Sequence, residues 1–335
     1  MIKGLQSICF DEPPYVQTGA AIVGKKEGEG PLGERFDEIE EDPMFGKESW
    51  EEAESELQRR TANKAIEKSG LSKNNIRYIF AGDLLGQETA TSFGVKDLNI
   101  PLFGLYGACS TMGEAMSLGA ICVAGGFAGN VLAMASSHFA SAEKEFRFPL
   151  EYGNQRAMSA QWTVTGAGAV IIGKTATNVR IAGITTGKIV DMGVKDSMNM
   201  GACMAPAACD TIYQHFKDFE RSIDDYDMVI TGDLGYVGKE LLLELLKQKG
   251  MDISEKYTDC GIEMFDKETQ DTHAGGSGCG CSASVLCAYY LDEIAKGNYK
   301  RILFVPTGAL LSKVSFNEGR TIPSIAHAVV LEHCE

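Results

Sequence analysis

The chain has 335 residues, 44% of them apolar and 23% charged, with a net charge of −15 and ten cysteines. That length suits one large α/β unit or two fused halves. The acidic balance, with no Lys/Arg cluster, argues against nucleic-acid binding, which needs a basic patch. No run approaches 18 apolar residues and MIKGLQSICFDEPP has no signal-peptide pattern, so neither a membrane span nor secretion is expected. The cysteines sit mostly among Ala, Gly and Ser, as small core residues of a reducing compartment do. None has zinc-ligand spacing, so no metal is expected on them.

In chain order, Ala20 to Val23 reads as an early strand. Residues 27–48 carry nine acidic side chains among Pro31, Gly33, Pro43 and Gly46, the pattern of a solvated loop, or of a lid or partner surface. Apolar spacing from Ser49 to Ser69, stopped by Gly70, predicts a helix. Arg77 to Ala81 reads as a buried strand running into Gly82-Asp83-Leu84.

Pro101 to Gly126 is a strand, a sharp turn at Gly107-Ala108-Cys109, and a helix apolar nearly all round. Cys109 therefore stands at the start of a buried helix, where N–H groups and the dipole lower a thiol's pKa and also suit an anion. Asn130 to Ala135 is a strand ending at Ser136-Ser137-His138. Residues 139–162 read as a long loop containing Arg147, Tyr152, Arg156 and Trp162. Thr163 to Ile172 is a strand whose glycines admit another backbone.

Residues 179–189 read as a strand and 190–210 as a loop of small residues. Asp227 to Thr231 is a strand ending in Gly232-Asp233-Leu234, and Lys239 to Gln248 a helix. His273 to Ser282 is a glycine-rich turn into a helix from Ala283 to Ile294. Arg301 to Pro306 and Ala326 to Glu332 are strands, the first ending at Thr307-Gly308-Ala309.

Two halves repeat this order. YIFAGDLLG at 78–86 answers MVITGDLGY at 228–236, and GACST at 107–111 answers GCGCSA at 278–283. An internal duplication of this kind dictates the fold. We read an α/β chain of two duplicated halves, 1–175 and 176–335, with stacked sheets and a buried helix layer (αβαβα). Ligands of such folds gather at strand C-termini, where Asp83, Cys109, His138, Asp233, the 273–282 turn and Thr307 fall. GCGCSA also fits a dinucleotide fingerprint in form. No acidic residue ends the next strand, so its glycines read as helix-packing positions.

The duplication, the Cys on a buried helix, GLSKNNIRYIFAG at 70–82 and TGAGAVII at 165–172 resemble the thiolase superfamily, near β-ketoacyl-acyl-carrier-protein synthase III. GKKEGEGPLGERFD at 24–37, MAPAACDTI at 204–212, TGDLG at 231–235, AGGSGCGCSA at 274–283 and IPSIAH at 322–327 resemble the stage V sporulation protein AD family. That resemblance implies a thiolase-like fold and binding of dipicolinic acid (pyridine-2,6-dicarboxylate). It implies action with other SpoVA membrane proteins in moving this compound into the developing spore, at the cytoplasmic side of the inner membrane. It also implies a homodimer, with a first-half strand near Asn130–Ala135 at the interface.

Condensing enzymes pair the helix Cys with His and Asn, or with two His. Aligned on the halves, those positions are Thr231 to Leu234, without His, and Gly275 to Gly278, without Asn. A carboxylate at Asp233 raises a neighbouring thiol's pKa. The expectation is a non-catalytic dipicolinate-binding protein; the alternative is a Cys-dependent acyltransferase or condensing enzyme using Cys109. The candidate ligand residues are Asp83, Cys109, His138, Arg147, Tyr152, Arg156, Asp233, His273, Ser277 and Thr307. Arg147 and Arg156 are there for carboxylate contact, and Tyr152 with Trp162 for stacking on a pyridine ring. No cofactor is expected, and calcium only as the ligand's chelate.

Overall fold

A computed structural model describes the chain except residues 147–149 and 153–154 and the side chain of Tyr152. In the first half the elements are β1 (Tyr15–Gly24), α1 (Trp50–Ser69), β2 (Tyr78–Gly82), β3 (Leu102–Gly104), α2 (Thr111–Ala124), β4 (Asn130–Ser137), α3 (Phe139–Phe146) and β5 (Gly166–Gly173). The second half holds β6 (Val179–Thr185), α4 (Met200–Phe219), β7 (Met228–Thr231), α5 (Gly235–Gln248), β8 (Tyr257–Asp259), α6 (Cys279–Val285), β9 (Arg301–Val305) and β10 (Ala328–His333). After α6 the helix runs on through a π-type stretch, Leu286–Tyr290, to Leu291–Ala295.

Both halves make the same five-strand arrangement. The first sheet has the order β1-β5-β4-β2-β3 and the second β6-β10-β9-β7-β8. In each, the first two pairings are antiparallel and the last two parallel. A Tyr15–Arg180 pairing joins the sheets edge to edge. The N-terminal strand Ser7–Cys9 crosses over to pair with β6. Its anchor is Asp218 of α4, which accepts from Leu5 N, Gln6 N and the Ser7 hydroxyl at 2.9–3.0 Å.

Five layers follow from what each helix buries. Helix α1 covers the outer face of the first sheet, and α4 with α5 covers the second. Helices α2 and α6 lie between the sheets in one shared core. The approach of α6 to β5 depends on glycine: a Cβ on Gly280 would stand 2.0 Å from Gly166 O, and one on Gly168 2.1 Å from Ala283 O. The glycines of GCGCSA and TGAGAVII thus serve helix packing.

Four sequence expectations change. The start of the expected loop at 139–162 is helix α3, Phe139–Phe146. Residues 200–210 open the 20-residue helix α4, capped by Asn199, whose side chain accepts from Ala202 N. Its small Gly201 lets it pack closely on α5, since a Cβ there would lie 2.8 Å from Gly238 N. The stretch 27–48 is pinned rather than only solvated: Phe36 and Phe45 are buried, Glu38–Glu40 pairs with β1, and buried Glu27 accepts from Thr165 N at 3.0 Å. Strand β4 lies inside the sheet, bonded on both sides, so it cannot form a dimer edge. The first sheet's open edge is β3, whose three residues are all exposed.

Candidate functional site

The two buried helices begin next to each other, one from each half. Ala108, with φ of 52°, swings the chain from β3 into α2 and sets Cys109 at its start. Gly278, at φ of 106°, does the same before Cys279 of α6. Left-handed backbone is unfavourable for alanine, so surrounding contacts must hold this turn. Two are visible: Cys279 Sγ donates to Ala108 O at 3.0 Å, and the Ser110 hydroxyl donates to Gly107 O at 2.6 Å.

Asp233 is the polar hub beneath Cys109. One carboxylate oxygen accepts from the Thr307 hydroxyl at 2.9 Å; the other accepts from the Ser277 hydroxyl at 2.8 Å and Gly278 N at 3.0 Å. The turn carrying Asp233 is itself held by Asp259 at the end of β8, which accepts from Leu234 N, Gly235 N and Gly261 N. Burial pushes the Asp233 carboxyl up, while hydrogen bonds from Cys109, Gly278, Ser277 and Thr307 pull it down. Cys109 goes the other way from the expectation for a helix start. Its hydrogen bond with Cys279, its burial and the Asp233 charge push the thiol well above the ordinary range. The local carboxylate and low dielectric outweigh the helix dipole.

A cavity of about 380 Å³ opens over this pair, with Cys109, Ser277 and Gly278 in its floor. Leu84, Tyr106, Ala142 and Phe146 form the first-half wall. Met198, Met200, Met204 and the segment Leu310 to Val314 form the second-half wall. The lining is mainly apolar, with Glu145 and Lys313 on opposing elements as its charged members among the described residues. The floor is stiffened by Gln161, whose amide nitrogen donates to Asp233 O and Gly276 O.

The residues singled out from sequence fall into three groups. Cys109 and Ser277 line the cavity, and Asp233 and Thr307 lie directly beneath it. Asp83, His138, Arg156 and His273 do not line it. Asp83 holds its own loop, accepting from Leu85 N and from the Thr91 amide and hydroxyl. His138 bonds to backbone on both sides, Nε2 to Pro43 O at 2.8 Å and Nδ1 from Ala140 N at 3.1 Å, and burial lowers its pKa.

Arg156 donates to Asp271 O at 3.1 Å and lies 4.6 Å from the Trp162 ring. His273 pairs with Asp271 at 3.0 Å. Trp162 stacks on Phe139 at 3.9 Å, with Lys26 Nζ 3.8 Å from its ring centroid, so its faces are already taken. Arg147 and the Tyr152 side chain lie outside the described residues.

Sequence reasoning missed Gln161, Asp259, Glu145 and Lys313. Gln161 and Asp259 act only through loops brought together by the fold. Lys313 stands four residues after Ala309 and was within reach, as the first charge after the strand end at Thr307-Gly308-Ala309. Among the described residues no cluster of His, Cys, Asp and Glu could hold a metal ion, and no helix is long and apolar enough to cross a membrane.

Solved structures share this architecture. 3-Oxoacyl-[acyl-carrier-protein] synthase III from Aquifex aeolicus matches with a TM-score of 0.58 at 13% identity, covering 96% of this chain and 100% of that one. A variant of OleA from Xanthomonas campestris matches with a TM-score of 0.61 at 14% identity, covering 97% and 100%. These likenesses show a thiolase-like fold. Stage V sporulation protein AD of Bacillus subtilis (strain 168) is 42% identical over 331 residues, covering 99% of this chain and 98% of that protein. The family model for stage V sporulation protein AD matches residues 4–332, and the chain belongs to that family.

Proposed function

We propose that this sporulation-family protein is a non-catalytic binding protein for dipicolinic acid, held in the cavity over Cys109. The observation that carries the reading is the exchange at the cavity floor. A thiol that would have to ionise for acyl chemistry faces the anionic Asp233 carboxylate where condensing enzymes have a histidine, and its pKa is raised. Nucleophilic catalysis needs the opposite arrangement. What remains is a preformed, mostly apolar cavity of about 380 Å³, suited to a small aromatic ligand with a few polar contacts.

In this reading the protein delivers dipicolinate for uptake into the developing spore with other SpoVA proteins. It sits peripherally at the cytoplasmic side of the inner membrane. It works as a homodimer, for which β3, paired on one side with β2, supplies an open outer edge. Calcium enters only as the ligand's chelate. The second reading, acyl transfer by Cys109, draws on the methionine-bearing apolar wall, which would accept an acyl chain.

Calorimetric titration of the purified chain with dipicolinate, with and without calcium, tests the first reading. It predicts saturable heat at one site per chain; absence of heat under both conditions would overturn it.

A further inference from the structure

Resting on the dicarboxylate reading above, we propose that Lys313 anchors a carboxylate of the ligand and sets the site's preference for acids. A dicarboxylate brings two negative charges to a chain of net charge −15, so the far field opposes its approach. An anion placed against apolar walls needs a local cation or it is expelled by its desolvation cost. Of the two arginines expected for this from sequence, Arg147 lies outside the described residues, and Arg156 is turned toward Asp271 and Trp162. Lys26 is likewise placed over Trp162.

Lys313 is the cation that lines the cavity among the described residues. It opens the short helix Lys313–Asn317, none of whose residues is buried. The segment bearing it is rooted in the site at both ends. Thr307–Ala309 pairs antiparallel with Ser324–Ala326, and Thr307 is itself bonded to Asp233. Leu310 to Val314 then form one wall of the cavity. The ammonium group is thus carried on a short exposed flap with a fixed base. Its three donors and flexible stem let it follow a carboxylate into the cavity. It is exposed, and among the described residues it forms no ion pair.

Glu145, on α3, lines the same cavity and repels the same ligand. The two charges therefore predict opposite effects of neutralisation. Dipicolinate is titrated into wild type, Lys313→Ala, Lys313→Arg and Glu145→Gln at low and at physiological salt. The expected result is at least tenfold weaker binding in Lys313→Ala, near-wild-type binding in Lys313→Arg, and a few-fold gain in Glu145→Gln. Wild-type affinity falls with salt, and that of Lys313→Ala falls less.

Because Lys313 is exposed, unfolding temperatures of the Lys313 variants match wild type. Wild-type binding with Lys313→Ala within twofold of it would overturn this assignment alone. No heat in wild type would overturn the dipicolinate reading and this assignment with it.

Discussion

The chemistry of the site turns on one carboxylate next to one thiol. Cys109 stands where a helix dipole would activate it, yet Asp233 and Cys279 hold its proton in place. Charge repulsion at hydrogen-bond range exceeds the stabilisation that a helix start gives a thiolate. Asp233→Asn removes the charge but keeps a group of the same shape against Ser277 and Thr307. We expect the pH profile of Cys109 alkylation by iodoacetamide, followed by mass spectrometry, to move to lower pH in that variant. An unchanged profile would mean that Asp233 does not control the thiol.

Among the elements, the acidic excursion at 27–48 gives a pH signature. Glu27 is buried in the short helix Lys25–Gly28 that follows β1, and burial raises its carboxyl from the ordinary 4.5 to about 7. Asp259 at the end of β8 is raised to about 7 for the same reason. Burial and the Asp83 charge raise Glu54, which accepts from the Ser136 and Ser141 hydroxyls. A raised folded-state pKa contributes stability that is complete below the unfolded value and is lost as pH rises through the folded value.

The buried histidines act elsewhere on the scale. His138, His215 and His327 have lowered pKa values, so they destabilise the fold only as pH falls below about 6.5, where the unfolded chain takes up protons. Between pH 6.5 and 8 the carboxyl contribution is left to dominate. Thermal unfolding is expected to shift to lower temperature across that window, and less steeply in Glu27→Gln. A Glu27→Gln profile parallel to wild type would remove Glu27 from the account.

For the whole molecule, the duplication was legible because it is written in short-range signals. The Gly-Asp-Leu strand ends, the small-residue helices at Cys109 and Cys279, and the glycine strand at 166–173 each state a local packing need. Helix α4 was not legible. Gly201 and Pro206 are unfavourable in a helix interior, and with them the small residues around them read as a loop although alanine favours helix. In the fold Gly201, Ala205, Ala207 and Ala208 are buried in a helix, and Gly201 lies close against Gly238 of α5. His138 and Arg156 were placed near the site by sequence order, but their partners, Pro43 O and Asp271, come from distant segments. The cavity itself is a meeting of Tyr106, Phe146, Met200 and Leu311 from four separate stretches, and no local pattern announces it.

If the cavity binds without covalent chemistry, Cys109 is only part of its floor. The most direct test is dipicolinate titration of wild type and Cys109→Ala side by side. We expect affinities within a few-fold of one another. Loss of binding in a Cys109→Ala protein that unfolds at the wild-type temperature would contradict a non-nucleophilic role for Cys109.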